Sequence, residues 1–187
     1  RDPHARISFN PLAPLARAVA NKKLRPYFSS WLFFAVSISA AQSIFALYGK
    51  HAYNFDAFST GLIFTSTGVL AALNQTLLLR RVWLKYFTEA RLEIIMTIML
   101  GASFVLFGSD ILPLFYLALP LFATAQSVQR VVITSEVTAR VDPLMKGEAL
   151  GILTSLMAAS MVVGPIIGGA LFEIHDSYPY VFGGVLM

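Results

Sequence analysis

Six polar side chains stand inside stretches that otherwise hold mostly apolar and small residues: Gln42, Asn74, Gln75, Gln126, Gln129 and Arg130. Amides and a guanidinium donate and accept hydrogen bonds, but none is a nucleophile or a general base at neutral pH. Such a set can hold the polar group of a ligand, or join two helices, without making or breaking a bond. Gln126, Arg130 and Thr134 recur every four residues and so share one helix face. Gln129 is adjacent to that face, whereas Glu136 falls on a different one. Paired carboxylates, Ser-His-Asp sets, phosphate loops and metal-ligand spacings are missing, which argues against an enzyme, a metal site or a cofactor. There is no cysteine, so disulfides and thiolate ligands are excluded.

The elements that carry these residues are legible from the charges. Of 187 residues, 57% are hydrophobic and 13% charged, against roughly 25% charged in a soluble domain. The charges leave long gaps. Residues 26–49, 57–79, 94–109, 111–129 and 150–172 have none. A bilayer core takes about 20 apolar residues per helix. An all-α integral membrane fold follows, with spans expected over about 24–48, 57–79, 92–108, 111–134 and 147–172, Glu93 reaching toward the interface. A sixth begins at 178, after the turn at 173–179, and stops at 187, too short to cross. The chain is therefore read as a piece of a longer polypeptide that ends inside its last helix. Residues 1–26 are expected to be a cytoplasmic linker. The string "PLAPLARAVANKKLRPYF" within it has helical spacing, and could lie on the membrane or be a solvated connector. Residues 27–187 are then one compact six-helix transmembrane bundle. Asp56 is placed as the N-cap of the second span, Pro113 in the first turn of the fourth, and Pro120 inside it as a bend.

The Lys and Arg residues fix an expected orientation. Six precede the first span, Arg80, Arg81, Lys85 and Arg91 follow the second, and Arg130, Arg140 and Lys146 flank the loop after the fourth. The intervening turns hold only Lys50. This alternation puts the N-terminal segment in the cytoplasm. It also explains the net charge of +4 by topology and anionic lipid rather than by nucleic acid. Arg80, Arg81 and Glu136 are read as cytoplasmic charges.

The fifth span sets a puzzle: "GILTSLMAASMVVGPIIGGALFE" is apolar yet holds glycines and a proline. In lipid, helices associate by close van der Waals contact, which favours small residues four apart. Gly147, Gly151 and Ser155 form one such series, and Ser160, Gly164 and Gly168, beside Gly169, form another. Pro165 removes the helical partner of the Met161 carbonyl, so a bend at a protein-packed place is expected.

Within that span, "SMVVGPIIGG" resembles the small-x-x-x-Gly-Pro-x-x-Gly-Gly motif of major facilitator superfamily antiporters. The rest resembles the second half of such a transporter in order. "ANKKLRPYF" is similar to the central linker entering the seventh helix, "FSTGLIFTSTGVLAALNQTLLLRR" to the eighth, "KGEALGILTSL" to the eleventh and "SYPYVFGGVLM" to the start of the twelfth. The similarity runs over residues 12–187 and is greatest to tetracycline-type and related drug exporters. It implies the second half of a twelve-helix fold around a central cavity that opens alternately to each side. By position, Gln75 matches a glutamine of the substrate pathway in tetracycline-type exporters. Ala71 stands where some of them have a histidine, and their ninth-helix aspartate has no counterpart. "LLLRRVWLKYFTEAR" keeps the basic residues of the family's gating loop but not its glycines or aspartate, so Arg80 and Arg81 read as anchors.

The expected function is secondary active transport, with proton-coupled efflux of a small, partly hydrophobic molecule across a plasma (bacterial inner) membrane. Gln42, Asn74, Gln75, Gln126, Gln129 and Arg130 are its candidate pathway residues. Gly151, Ser160, Gly164, Pro165, Gly168 and Gly169 serve packing and the kink. The partners are the bilayer, the N-terminal six-helix half, the substrate and other membrane proteins; nucleic acid is not among them. Two rival functions remain open: uptake of a sugar or metabolite, and a non-transporting membrane subunit or assembly factor.

Overall fold

The computed structural model describes residues 24–187. The expected linker over 1–26 thus lies outside the described residues except for its last three positions. The described chain forms six main helices: α1 (Arg25–Tyr53), α2 (Ala57–Tyr86), α3 (Glu89–Phe107), α4 (Leu112–Ala139), α5 (Lys146–Ile174) and α6 (Tyr178–Leu186). α1, α2, α3 and the segment Pro143–Ile174, which contains α5, are long and apolar enough to cross a membrane. α4 is as long as α1 to within a residue, but Pro113, Pro120 and its polar residues dilute it. Among the described residues there is no strand.

Local chemistry sets the ends. Asp56 caps α2, its carboxylate accepting the Ser59 N–H at 2.8 Å. Pro113 and Pro179 open α4 and α6, where the missing N–H costs nothing. Asn54 and Asp110 take left-handed conformations, φ 55° and 57°, to reverse the chain. Both are residue types that tolerate this region. Several helices outrun the expected spans. α1 continues to Tyr53, α3 starts at Glu89, and α4 continues through Glu136 to Ala139. Charged residues do not end a helix; they only end the part that lipid can cover.

Nothing in the residue pattern marks the π-helical stretch Asn74–Trp83 inside α2. Positions nine apart lie on opposite faces of an α-helix. The wider π turn brings Trp83 back over Asn74, and its indole N–H donates to the Asn74 side-chain oxygen at 3.4 Å.

α1 packs along α5 and α3 packs along α4, while α6 fills the angle between α1 and α3. The closest approach is at Gly164 and Gly168. A β-carbon on Gly164 would stand 2.5 Å from Ser39 Cβ, and one on Gly168 would stand 2.5 Å from the Ala40 carbonyl oxygen. Trp31 clasps the same pair of helices, its indole donating to the Leu153 carbonyl at 2.8 Å. Phe45, Tyr48, Phe107, Phe115 and Tyr180 form one aromatic cluster between helices, the tightest pair (Tyr48 and Tyr180) 4.8 Å between centroids. α2 and α5 are left largely uncovered. Only 17% and 22% of their most apolar windows are buried, against 50% for α1. These two flanks leave helix surface with no neighbour among the described residues. The prolines sit within helices that continue through them: Pro120 in α4 and Pro165 in α5.

Candidate functional site

The six polar residues that opened the analysis separate into two sets. Asn74 and Gln129 are spent inside the bundle. Asn74 is 3% exposed and donates to Thr124 of α4 at 3.0 Å. Gln129 is 1% exposed and donates to Thr97 of α3 at 2.9 Å. Each ties α4 to a neighbour, though the buried Gln129 Oε1 has no partner among the described residues. Gln42, Gln75, Gln126 and Arg130 make no side-chain hydrogen bond or ion pair to any described residue, and all four border cavities. Side chains with strong donors and no partner within this chain are free to meet something outside it.

One cavity of about 230 Å³ lies midway along the bundle between α1, α2 and α4. Gln42, Thr67 and Gln126 supply its polar atoms, and Phe45, Phe64 and Phe122 most of its wall. One helical turn along, toward the end where Arg25, Lys85 and Lys146 cluster, comes Arg130. It borders two wider recesses. Gln75, Thr134 and Ser135 line the one of about 460 Å³. Trp31, Met157 and Met161 line the other, of about 470 Å³. An aromatic floor, amides at its edge and a guanidinium one turn away set apolar area beside hydrogen-bond donors, the chemistry that suits an amphipathic solute.

Glu136 differs from its expected place among the loop charges. It is 4% exposed, inside the last turns of α4, and ion-paired with Arg140 one turn on. The Arg140 guanidinium in turn lies over the Tyr27 ring, 4.5 Å from its centroid. The i,i+4 spacing was readable; the expected end of the span at 134 hid it. Glu93, expected at the interface, accepts from Ser30 of α1 at 3.0 Å, and Glu89 accepts from Ser135 of α4 at 3.0 Å. Glu89 and Glu93 thus bind helices together at the basic end, and Glu136 does so only through Arg140 and its contact with Tyr27. Arg80 and Arg81 are exposed at that end. At the opposite end, Asp110 accepts from Tyr48 at 2.7 Å and from Ser177 at 3.0 Å, and His51 meets Asp176 at 3.2 Å. Hydrogen bonds from the Ser59 side chain and N–H hold the exposed Asp56 carboxyl below the usual range.

The small residues of α5 also part ways. Ser160 is buried and donates to the Leu156 carbonyl, while Gly164 and Gly168 meet α1. Gly147, Gly151 and Gly169 have no other part of the described chain within 4 Å of where a β-carbon would stand. The series at 147 and 151 therefore packs on nothing in this bundle.

No family model matches the chain. A solved structure does: the human organic anion transporter MFSD10 (TETRAN) superposes with a TM-score of 0.84 over 95% of this chain and 44% of its own, at 23% identity. The chain thus has the fold of a six-helix half of a major facilitator transporter, the half its motifs resemble being the C-terminal one. It is an integral membrane fold. Among curated proteins it is similar to multidrug resistance protein 1 of Bacillus subtilis strain 168, 28% identical over 167 residues. It is also similar to multidrug resistance protein 2 of that strain, 25% identical over 166. These matches take in 86% and 82% of this chain but 42% and 38% of the relatives, so the chain spans about two fifths of their length.

Proposed function

We propose that the chain is the second half of a secondary active transporter that exports a small, partly hydrophobic molecule by alternating access, driven by proton exchange. The observation that carries this reading is the division of the intramembrane polar residues. Asn74 and Gln129 are consumed by helix contacts, whereas Gln42, Gln75, Gln126 and Arg130 stand unpartnered at the cavities, one of them walled by aromatic rings. Polar groups in hydrocarbon persist where they line a pathway or face protein. The partner across those cavities is the other six-helix half, and solute is held between the two. Gly164 and Gly168 let α5 slide closely on α1, and Pro165 lets it flex, as the halves rock. The alternation of basic and bare loops supports a plasma (bacterial inner) membrane protein with its N-terminal segment cytoplasmic.

The test is flux. The full-length protein is placed in liposomes with a pH difference across them, and a panel of amphipathic dyes is followed. Dye movement that depends on the pH difference and collapses with a protonophore is the expected result. Flux indifferent to protons sinks the coupling. Inward sugar or metabolite flux would replace efflux by uptake. No flux, with a stable complex on other membrane proteins, would make the chain a structural subunit.

A further inference from the structure

We infer that the cleft selects an amphipathic anion: a solute whose carboxylate or sulfonate sits on Arg130 while its aromatic or aliphatic body fills the Phe45–Phe64 cavity. This rests on the transport reading and adds the charge of the substrate to it.

Arg130 stands inside α4, one turn beyond Gln126, and its side chain borders both recesses with no hydrogen-bond or ion-pair partner among the described residues. A guanidinium in a cleft covered by a second protein surface is costly unless an anion meets it. The nearby carboxylates are occupied elsewhere: Glu89 by Ser135, Glu93 by Ser30, Glu136 by Arg140. No Asp or Glu lines the central cavity or either recess beside Arg130. The cleft therefore presents a guanidinium to a solute and no carboxylate in its lining to pair with an organic cation. A planar fork of donors suits a carboxylate or sulfonate, which can accept two of its N–H groups at once.

The spacing sets the shape of the solute. Gln126 lines the aromatic cavity and Arg130 is the next residue on that face of α4. Four residues correspond to about 6 Å of rise. Gln75 stands likewise one turn from Ala71, which lines the same cavity. The anionic head and the centre of the apolar body are thus separated by about the width of one aromatic ring.

The experiment measures binding rather than flux. The full-length protein in detergent is titrated with three naphthalene probes of matched size: 2-naphthalenesulfonate, neutral 2-naphthalenemethanol and cationic 2-naphthylmethylammonium. The sulfonate is expected to bind roughly tenfold or more tighter than the ammonium. Arg130→Gln should weaken the sulfonate by about tenfold or more and leave the alcohol within about twofold, with Arg130→Lys in between. The alcohol reports folding of the variants, and the wild-type order of the three probes decides the matter even if both variants unfold. Equal or tighter binding of the ammonium overturns the inference. So does sulfonate binding unmoved by Arg130→Gln, which would mean that an acid from the other half already pairs with Arg130. Failure of all three probes overturns it too. Anion-selective binding without proton-driven flux would instead sink the transport reading and leave the anion site standing.

Discussion

Replacing Gly168 by Ala tests whether α1 and α5 are held by backbone contact. The added β-carbon would stand 2.5 Å from the Ala40 carbonyl oxygen and 3.0 Å from Ser43 Oγ. Ordinary van der Waals contact begins near 3.4 Å, so the helices must part by roughly 1 Å along this seam. Ser43 can rotate away, but a helix carbonyl cannot. A gap of that size forfeits about a quarter to a half of the dispersion well for the atoms along it. Overpacking of this kind costs about 1–3 kcal/mol. The gain in helix propensity on replacing glycine offsets about 0.5–1 kcal/mol of that. The net is a loss of roughly 1–2 kcal/mol. Gly164→Ala should lose a similar amount, since its β-carbon would meet Ser39 Cβ at 2.5 Å and the Ala40 nitrogen at 2.9 Å. Gly151→Ala meets nothing within this chain and serves as the contrast. Thermal unfolding in detergent, followed by the loss of the monodisperse peak, reads the three side by side. A Gly168→Ala protein that melts at or above the parent would refute the reasoning. A loss confined to Gly151→Ala would place the tight contact on the other half instead.

Glu136→Gln should cost about 1–3 kcal/mol by leaving Arg140 without its buried partner, discounted because Arg140 is 40% exposed. Arg140→Gln in the same background should add little, and a full additive loss in that double variant would dissolve the pair. Asp110→Asn keeps a residue that tolerates the left-handed turn but weakens acceptance from Tyr48 and Ser177, so it should destabilise by about 1 kcal/mol. Asp110→Ala should cost more by adding backbone strain, and equal melting temperatures would contradict that order. The lowered Asp56 carboxyl stabilises the start of α2 above the ordinary carboxylate range, and this is lost as pH falls through its depressed value. Protection of the Ser59 amide, measured relative to its intrinsic exchange rate at each pH, should therefore fall at acid pH in the parent, whereas Asp56→Asn, which caps without titrating, should flatten the profile.

Much of this protein is written in one dimension, because a bilayer imposes a simple length and charge rule. Runs free of charge marked the helices, Asp56 and Pro113 marked two of their starts, and "SMVVGPIIGG" marked a close-packed seam. The helix ends were less legible. Lipid stops where charge begins, but hydrogen bonding along the backbone does not. α4 therefore carries Glu136 inside it as a buried pair with Arg140 rather than releasing it to a loop. What tertiary structure alone decided is direction. Gln126 and Gln129 are three residues apart and chemically identical, yet one lines a cavity and the other is buried against Thr97 of α3. Asn74 and Gln75 are adjacent, and the π turn delivers the first to Thr124 and Trp83 while the second borders the recess beside Arg130. Gly151 and Gly168 have the same motif spacing, but only one meets another helix. Hydropathy cannot separate these pairs, because in a membrane both lipid-facing and protein-facing sides are apolar. The physical difference is which neighbour each face meets, and only the packed bundle supplies it.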